Sequence, residues 1–213
     1  MPVRTGQDST DDAGARIWGG TTLPERKRAR RAALLEAALD LIGEAGAAGV
    51  TMRAVCRRAN LTDRYFYESF ISRDELLDAL YRQVAEEFLA PMTAFAATED
   101  PTADRALSEA LVDKVLADPR KSRLFLVEPY SSTGLGQTTI AVMPVFTRVL
   151  QDHLFARIED PVRRRLAALT MAAGNAGMFA AWLNGSLRAS REQIVDHLVA
   201  ALAAYRTLYR IES

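Results

Sequence analysis

The sequence predicts an all-α protein, and three observations carry that prediction. Apolar residues recur at helical spacing in the long segments, as in Leu34, Leu35, Ala38, Leu39 and Ile42, or Ile194, Leu198, Ala201, Leu202 and Tyr205. Helix starts are written as capping boxes, Ser72 with Glu75 and Ser190 with Gln193. They are also written as Asp-Pro pairs at Asp100, Asp118 and Asp160, where an acidic N-cap precedes a proline suited to the first turn. Between Thr51 and Ile71, two short amphipathic segments meet at a tight turn, the pattern of a helix-turn-helix.

In chain order, residues 1–23 mix Gly, Thr, Asp and Ser with little periodicity and read as a disordered tail, with Arg16, Ile17 and Trp18 its one unusual cluster. The run Arg26 to Arg31 (RKRARR) opens the first helix. Positive charge opposes the dipole at a helix N-terminus, so compensation is expected; a phosphate near Arg28 would supply it, the alternative being a solvated basic face. Gly43, Gly46 and Gly49 are read as ending that helix. Thr51 then caps a short helix with Met52, Val55, Cys56 and Ala59 on one face and Arg53, Arg57 and Arg58 elsewhere. Asn60 stands at the turn because asparagine accepts the left-handed conformation better than other side chains. Thr62 caps the second helix, from Asp63 to about Ser69, with Phe66 and Phe70 inward and Arg64, Tyr65 and Tyr67 outward.

The chain has 213 residues, 49% of them hydrophobic, which supports a sizeable core. Its 27 basic and 27 acidic residues cancel, so any nucleic-acid affinity must come from local asymmetry. The stretch from Pro24 to Ile71 has it: Arg26, Lys27, Arg28, Arg30, Arg31, Arg53, Arg57, Arg58 and Arg64 outnumber the acidic residues there. A single cysteine excludes an internal disulfide and a cysteine metal cluster, and Cys56 is read as a packing residue. No apolar run is read as long enough to span a membrane and no signal-peptide pattern opens the chain, so a cytoplasmic protein without a membrane partner is expected.

The segment from Arg28 to Leu80 resembles the DNA-binding domain of TetR (tetracycline-repressor-like) transcriptional regulators. Ala37, Ala38 and Leu39, the Gly46 bend, Thr51, Ala59 before the turn, Tyr67 and Phe70, and the run Ser72 to Leu77 carry the likeness. Asn60-Leu61 stands where the family usually has Gly-Val, Cys56 where it usually has Ala, and Arg73 where Lys is commonest. The resemblance implies that Arg28, Thr51, Tyr67 and Arg73 meet phosphates, that Arg53 and Arg64 reach base edges, and that Thr62, Asp63 and Tyr65 make secondary contacts. It divides the chain into a DNA-binding domain (24–71) and a ligand-binding and dimerisation domain (72–213).

In the second part, Ser72 opens a long helix to about Met92, with Leu76, Leu77, Leu80, Val84 and Phe88 as its inner stripe. Leu107, Ala110, Leu111, Lys114 and Val115 mark the next helix. A shorter one contains Leu124, Phe125 and Val127 and is stopped by Pro129; Ser131 to Thr138 is a connector; Pro144 starts or kinks the helix that follows. The span from Pro161 to Leu187 is apolar over most of its circumference, and the final helix shows Ile194, Leu198, Ala201, Leu202, Tyr205 and Leu208 on one broad face. By resemblance these last two helices pair with their copies into a homodimer, which also spaces two reading helices by about one DNA turn.

The expected function is a one-component transcriptional repressor that binds a palindromic double-stranded DNA operator and is released by a small apolar or amphipathic effector. Phe88, Met92, Phe125, Met143, Phe146, Met171, Asn175, Met178, Phe179 and Trp182 are the candidate ligand-binding residues, with Phe95 and Tyr130 further aromatic neighbours. They combine adaptable apolar side chains with one polar group in an apolar helix. His153 and His197 are the only histidines, and neither a catalytic triad nor metal-ligand spacing is visible, so no enzyme, cofactor or metal is expected. An all-helical interaction module without DNA binding is the rival, and an enzyme the more distant one.

Overall fold

The computed structural model describes residues 22–95, 103–131 and 135–209, and all regular structure among them is helical. The Arg16 to Trp18 cluster and the Asp100-Pro101 helix start lie outside the described residues.

Helix α1 (Leu23–Ala45) begins earlier than its basic run suggests. Thr22 accepts from the Glu25 N–H at 3.4 Å, and the Glu25 carboxylate accepts from the Thr22 N–H at 2.6 Å, a complete capping box that draws Thr22 and Leu23 into the fold. Bonds from the Thr22 backbone and hydroxyl hold the Glu25 carboxyl below its usual range. The helix thus carries its own negative charge in the turn before the arginines.

Helices α2 (Met52–Ala59) and α3 (Asp63–Tyr67) pack on α1. Leu34, Leu39, Ile42, Val50, Val55, Phe66, Phe70, Leu76 and Leu77 form one continuous buried core with them. Helix α4 (Arg73–Phe95) leaves this core and enters the body, where Val84, Phe88 and Met92 are buried. Its start is the Ser72 box, with the Glu75 N–H donating to Ser72 Oγ at 3.1 Å, while the Glu75 carboxylate reaches past Ser72 to the Ile71 N–H. Pro91 sits inside its last turns.

The body clasps α1 through a polar grip. Helix α6 (Pro119–Ser122), a π-type segment (Arg123–Val127) and α7 (Glu128–Ser131) run end to end. From the first, Arg120 donates to Glu36 at 2.8 Å and to Asp40, and is braced by its own N-cap residue Asp118. From the second, Arg123 donates to the Gly43 carbonyl at 3.1 Å. From the third, the buried Glu128 carboxylate accepts the Ala47 N–H at 2.9 Å and pairs with Arg123 at 3.1 Å. Two of the glycines read as helix breakers owe their identity to this grip. A Cβ on Gly43 would stand 2.7 Å from Arg120 Cγ, and one on Gly46 would stand 2.8 Å from Glu128 Oε1. Gly46 also has φ 73, so it does end α1, whereas Gly43 lies within it.

Around the grip, α5 (Ala103–Ala117) packs on α4 and on the final helix α10 (Arg191–Tyr209), and α8 (Gly136–Val149) and α9 (Pro161–Leu183) close the body. The Asp118 and Asp160 caps form as expected, Asp160 accepting from the Val162 and Arg163 N–H groups. Ser190 and Gln193 complete their box at 3.2 and 2.8 Å.

Three expectations need correction. Pro129 does not stop its helix, because the preceding π-type segment shifts the hydrogen-bond register where a proline would otherwise clash with an α-helical carbonyl. Thr138 is not in a loop: α8 starts at Gly136, and the Thr138 hydroxyl bonds to Asp78. Of the two alternatives for Pro144, the structure has the proline inside α8, not at its start. Helix α9 ends at Leu183 rather than Leu187.

Glu128→Ala strands the Ala47 N–H and unpairs Arg123. The guanidinium side chain is 39% exposed, which discounts the loss to about 2 kcal/mol of unfolding free energy in urea titration. Acid should weaken the same region. Asp118 is held below its ordinary range by Arg120, and Glu87, which burial would raise, is pulled down by Lys121 and Lys114. Carboxyls with lowered folded values contribute stability that is complete above the unfolded range near pH 4 and is lost as pH falls through the folded values. The urea midpoint is therefore expected to hold from pH 7 to about 5 and to fall below about pH 4.

Candidate functional site

Two sites stand at opposite ends of α4. The first is the α2–α3 surface. Thr51 Oγ1 accepts the Ala54 N–H at 3.2 Å and opens α2, leaving Thr51 itself exposed. Asn60 takes φ 52 and ψ 44, and the Leu61 N–H returns to the Cys56 carbonyl at 2.9 Å, so the tight turn forms as the sequence predicts. Cys56 is buried, and burial followed by the nearby Asp63 carboxylate pushes its thiol up, which suits packing. Thr62 occupies the N-cap position of α3 without a side-chain bond, so its hydroxyl remains outward.

Phe66 and Phe70 are buried and Tyr67 is 59% exposed, its ring edge-on to Phe66 at 5.7 Å. Arg53, Thr62, Asp63 and Arg64 are exposed beside it. Arg64 is the most extended of the set, tethered only by an i,i+4 pair with Glu68 at 3.0 Å, a surface contact worth a few tenths of a kcal/mol and easily exchanged for another anion. Tyr65 is half-buried because Arg30 of α1 lies over its ring at 4.4 Å. The sequence reading counted Arg30 only among the basic residues, because its partner lies 35 positions away, beyond any local pattern.

Two predicted cations have other tasks. Arg58 makes a bidentate pair with Glu44 at 2.9 and 2.7 Å, fastening α2 to α1. Arg73 donates to the Val50 carbonyl at 2.6 Å, to the Ala47 carbonyl at 2.7 Å and to Asp74 at 2.9 Å, stapling the α1–α2 connection to the start of α4. Arg28 borders a groove with Leu35, Leu39, Leu80, Gln83 and Lys121, on the α4 and α6 side of α1 and apart from the α2–α3 surface.

The second site is a cavity of about 360 Å³ inside the body. Of the ten sequence candidates, nine line it: Phe88 and Met92 from α4, Phe125 from the π-type segment, Met143 and Phe146 from α8, and Met171, Asn175, Met178 and Phe179 from α9. Trp182 does not. Its indole N–H donates to the Ala189 carbonyl at 2.8 Å and pins the end of α9 to the approach of α10. Tyr130 is exposed and outside the cavity, and the Phe95 side chain lies outside the described residues.

Phe125 is the centre of an aromatic cluster, 4.7 Å from Phe88, 5.3 Å from Phe146 and 5.4 Å from Tyr81. The sequence reading missed Tyr81, Leu107, Ser108, Leu111, Thr139, His197 and Tyr205. Tyr81 was legible in principle, falling between Leu77 and Val84 on the inner stripe of α4; the α5 and α10 residues are brought there by packing alone.

The lining contains no Asp, Glu, Lys or Arg. Burial raises the Tyr81 phenol, and a side-chain hydrogen bond with Thr139 offsets part of that rise. Ser108 donates to the Asp104 carbonyl at 2.7 Å and Thr139 to the Leu135 carbonyl at 2.9 Å, so both hydroxyls are already engaged with backbone. The Asn175 carboxamide makes no hydrogen bond to the described residues and, with the polar groups of Thr170, His197 and Tyr205, is left to meet a ligand. The cavity suits a largely apolar molecule oriented by a few directional contacts. No group of three or more His, Cys, Asp or Glu among the described residues is placed to hold a metal ion.

Helices α9 and α10 also present an apolar outer face. Val162, Leu166 and Leu169 are exposed on α9 and Leu208 on α10. Contrary to the sequence expectation, α9 is long and apolar enough to cross a membrane by length and composition, and 28% of its most apolar window is buried within the chain.

Comparison with known proteins shows the family to which this arrangement belongs. Residues 34–80 match the model of the bacterial regulatory proteins of the tetR family. The HTH-type transcriptional regulator BetI of Burkholderia thailandensis is 33% identical over 165 residues, covering 74% of this chain and 82% of the relative. The Bacillus subtilis regulator FadR, solved with stearoyl-CoA, superposes with TM-score 0.65 at 16% identity over 80% of this chain and 96% of its own. NalD of Pseudomonas aeruginosa, a secondary repressor of a multidrug efflux pump, superposes with TM-score 0.65 at 19% identity over 84% and 96%. With a reading surface, a body cavity and a relative this similar over most of its length, the chain belongs to the TetR family and is a transcriptional regulator.

Proposed function

We propose that this regulator is a repressor that binds a palindromic operator as a homodimer and leaves it when a small, neutral, apolar or amphipathic molecule fills the body cavity. The observation that carries this reading is that one helix serves both sites. Helix α4 starts at the Arg73 staple beneath the α2–α3 surface and lines the cavity with Tyr81, Phe88 and Met92. A ligand that prefers one setting of α4 changes the placement of the reading helices, and only that difference in affinity can move the equilibrium. The ligand-bound FadR and the repressor NalD, with the same fold, support the reading by analogy.

On the DNA side, Arg53 and Arg64 read base edges, Thr51, Arg28 and Tyr67 meet phosphates, and Thr62, Asp63 and Tyr65 adjust the contact. Arg73 contributes by setting the surface in place. The DNA-binding domain is taken as 24–71 and the ligand-binding and dimerisation domain as 72–213. The α9–α10 face provides the dimer contact, and no catalytic role is assigned. Operator-bound protein works where the chromosome is, in the cytoplasm.

Fragments of DNA flanking the protein's own gene provide the test. Binding measured by fluorescence anisotropy should weaken steeply with salt, and Arg53→Ala or Arg64→Ala should each cost about 1–3 kcal/mol with relaxed preference at one base pair. Tyr67→Phe should weaken all sequences alike. Binding that ignores salt, or survives both arginine substitutions intact, refutes the reading and favours an interaction module. Light scattering at micromolar concentration is expected to return the mass of a dimer.

A further inference from the structure

A second hollow lies outside the body cavity, in the seam where α1 meets α4 and α6. Its volume is about 270 Å³. The α1 wall is a single face of that helix, since Arg28, Arg31, Leu35 and Leu39 follow one another at spacings of three and four. Leu35, Leu39 and, across the seam, Leu80 are buried and form an apolar floor, with the exposed Gln83 carboxamide on the α4 side.

The two ends of this groove differ in charge. At the end nearer the body, Lys121 gives its ammonium to both Glu87 oxygens at 2.7 and 2.8 Å, and Glu36 accepts from Arg120 at 2.8 Å, so the charges there already cancel. At the other end Arg28 and Arg31 are exposed, and among the described residues neither has a carboxylate partner. Nearby arginines are spent, Arg30 on Glu68 and Arg58 on Glu44. Arg31 is nonetheless held in place, its guanidinium 4.9 Å from the centre of the buried Phe70 ring. Stacking uses the flat face of a guanidinium. It leaves the N–H groups of the edge free to donate, and that edge takes a carboxylate through two parallel bonds.

We propose that this groove is a second ligand site, for a small amphipathic monoanion of the aryl or short-chain alkyl carboxylate class. The carboxylate sits between Arg28 and Arg31, the apolar part lies on Leu35, Leu39 and Leu80, and Gln83 offers a hydrogen bond. Charge separates this site from the body cavity, whose lining holds no Asp, Glu, Lys or Arg and gives a carboxylate no counter-charge. The site itself is independent of the operator reading given above, whereas its effect on DNA rests on that reading. An anion held by Arg28 competes with the phosphate assigned to that residue, so the occupied groove lowers operator affinity.

The probe is 2-naphthoate, and 2-naphthamide, of the same shape without the charge, is its control; both are titrated into the full chain by isothermal calorimetry. Naphthoate binding should be saturable, and should be weaker by at least roughly ten-fold for the amide, for Arg31→Gln and for Gln83→Glu, which sets a like charge in the groove without touching the Phe70 stack. Asn175→Leu, in the body cavity, should leave it unchanged. The site is overturned if binding survives the two groove substitutions, is lost with Asn175→Leu, or is matched by the amide, and equally if none is seen up to about 10 mM. Urea midpoints establish that each variant is folded, and Gln83→Glu carries the comparison should Arg31→Gln not be. Naphthoate should also weaken binding of the wild type to the flanking-gene duplex and leave that of Gln83→Glu unmoved. If operator affinity ignores bound naphthoate, the competition with DNA is refuted. A chain that takes naphthoate in the groove but binds no DNA keeps the site and refutes the operator reading.

Discussion

The arrangement of the two sites depends on the buried Glu128 carboxylate and the pair of arginines beside it. Glu128 reaches out of the body to the Ala47 N–H, at the bend that follows α1, while Arg123 takes the Gly43 carbonyl and Arg120 the Glu36 and Asp40 carboxylates. A carboxylate buried on this scale is tolerable only with partners on both oxygens, and the chain supplies an amide to one and a guanidinium to the other. Because those partners lie on either side of the boundary between reader and body, the boundary is held by directional bonds as well as by apolar contact.

The geometry of that grip also explains how the body could act on DNA. Phe125 lies in the π-type segment between Arg120 and Glu128, and it is stacked on Phe88 and close to Phe146 within the cavity. The wall that a ligand would press against thus belongs to the same short stretch that holds α1, and α4 provides a second connection through the Arg73 staple. Two rigid links from one cavity to one reading surface make a coherent rotation of the reader a natural response, since well-packed cores shift as units.

Much of this was legible in local pattern. Capping boxes at Ser72 and Ser190, the Asp118 and Asp160 starts, the left-handed Asn60 and the inward Phe66 and Phe70 all follow from residues within one helical turn of each other. Nine cavity residues were also found by type, because methionine and aromatic side chains suit an adaptable apolar lining. Failures occurred where a nearby rule met a distant partner. Trp182 was assigned to the ligand and instead bonds Ala189, Arg30 was counted only as a basic residue although it covers Tyr65, and Pro129 was read as a stop although a π-type register accommodates it.

By itself the sequence determined the all-helical class, most helix starts, the turn between α2 and α3, and nine of the cavity residues. These depend on side chains acting on backbone a few residues away, whose geometry is the same in any fold. Only the tertiary structure decided which charges were free to meet another molecule. Arg64 and Arg73 are alike in composition, yet one extends from the surface and the other is held by the Ala47 and Val50 carbonyls. It likewise decided that Gly43 and Gly46 are spaces for Arg120 and Glu128, and that α5 and α10 complete the cavity. Such contacts join residues tens of positions apart, and no local spacing encodes them.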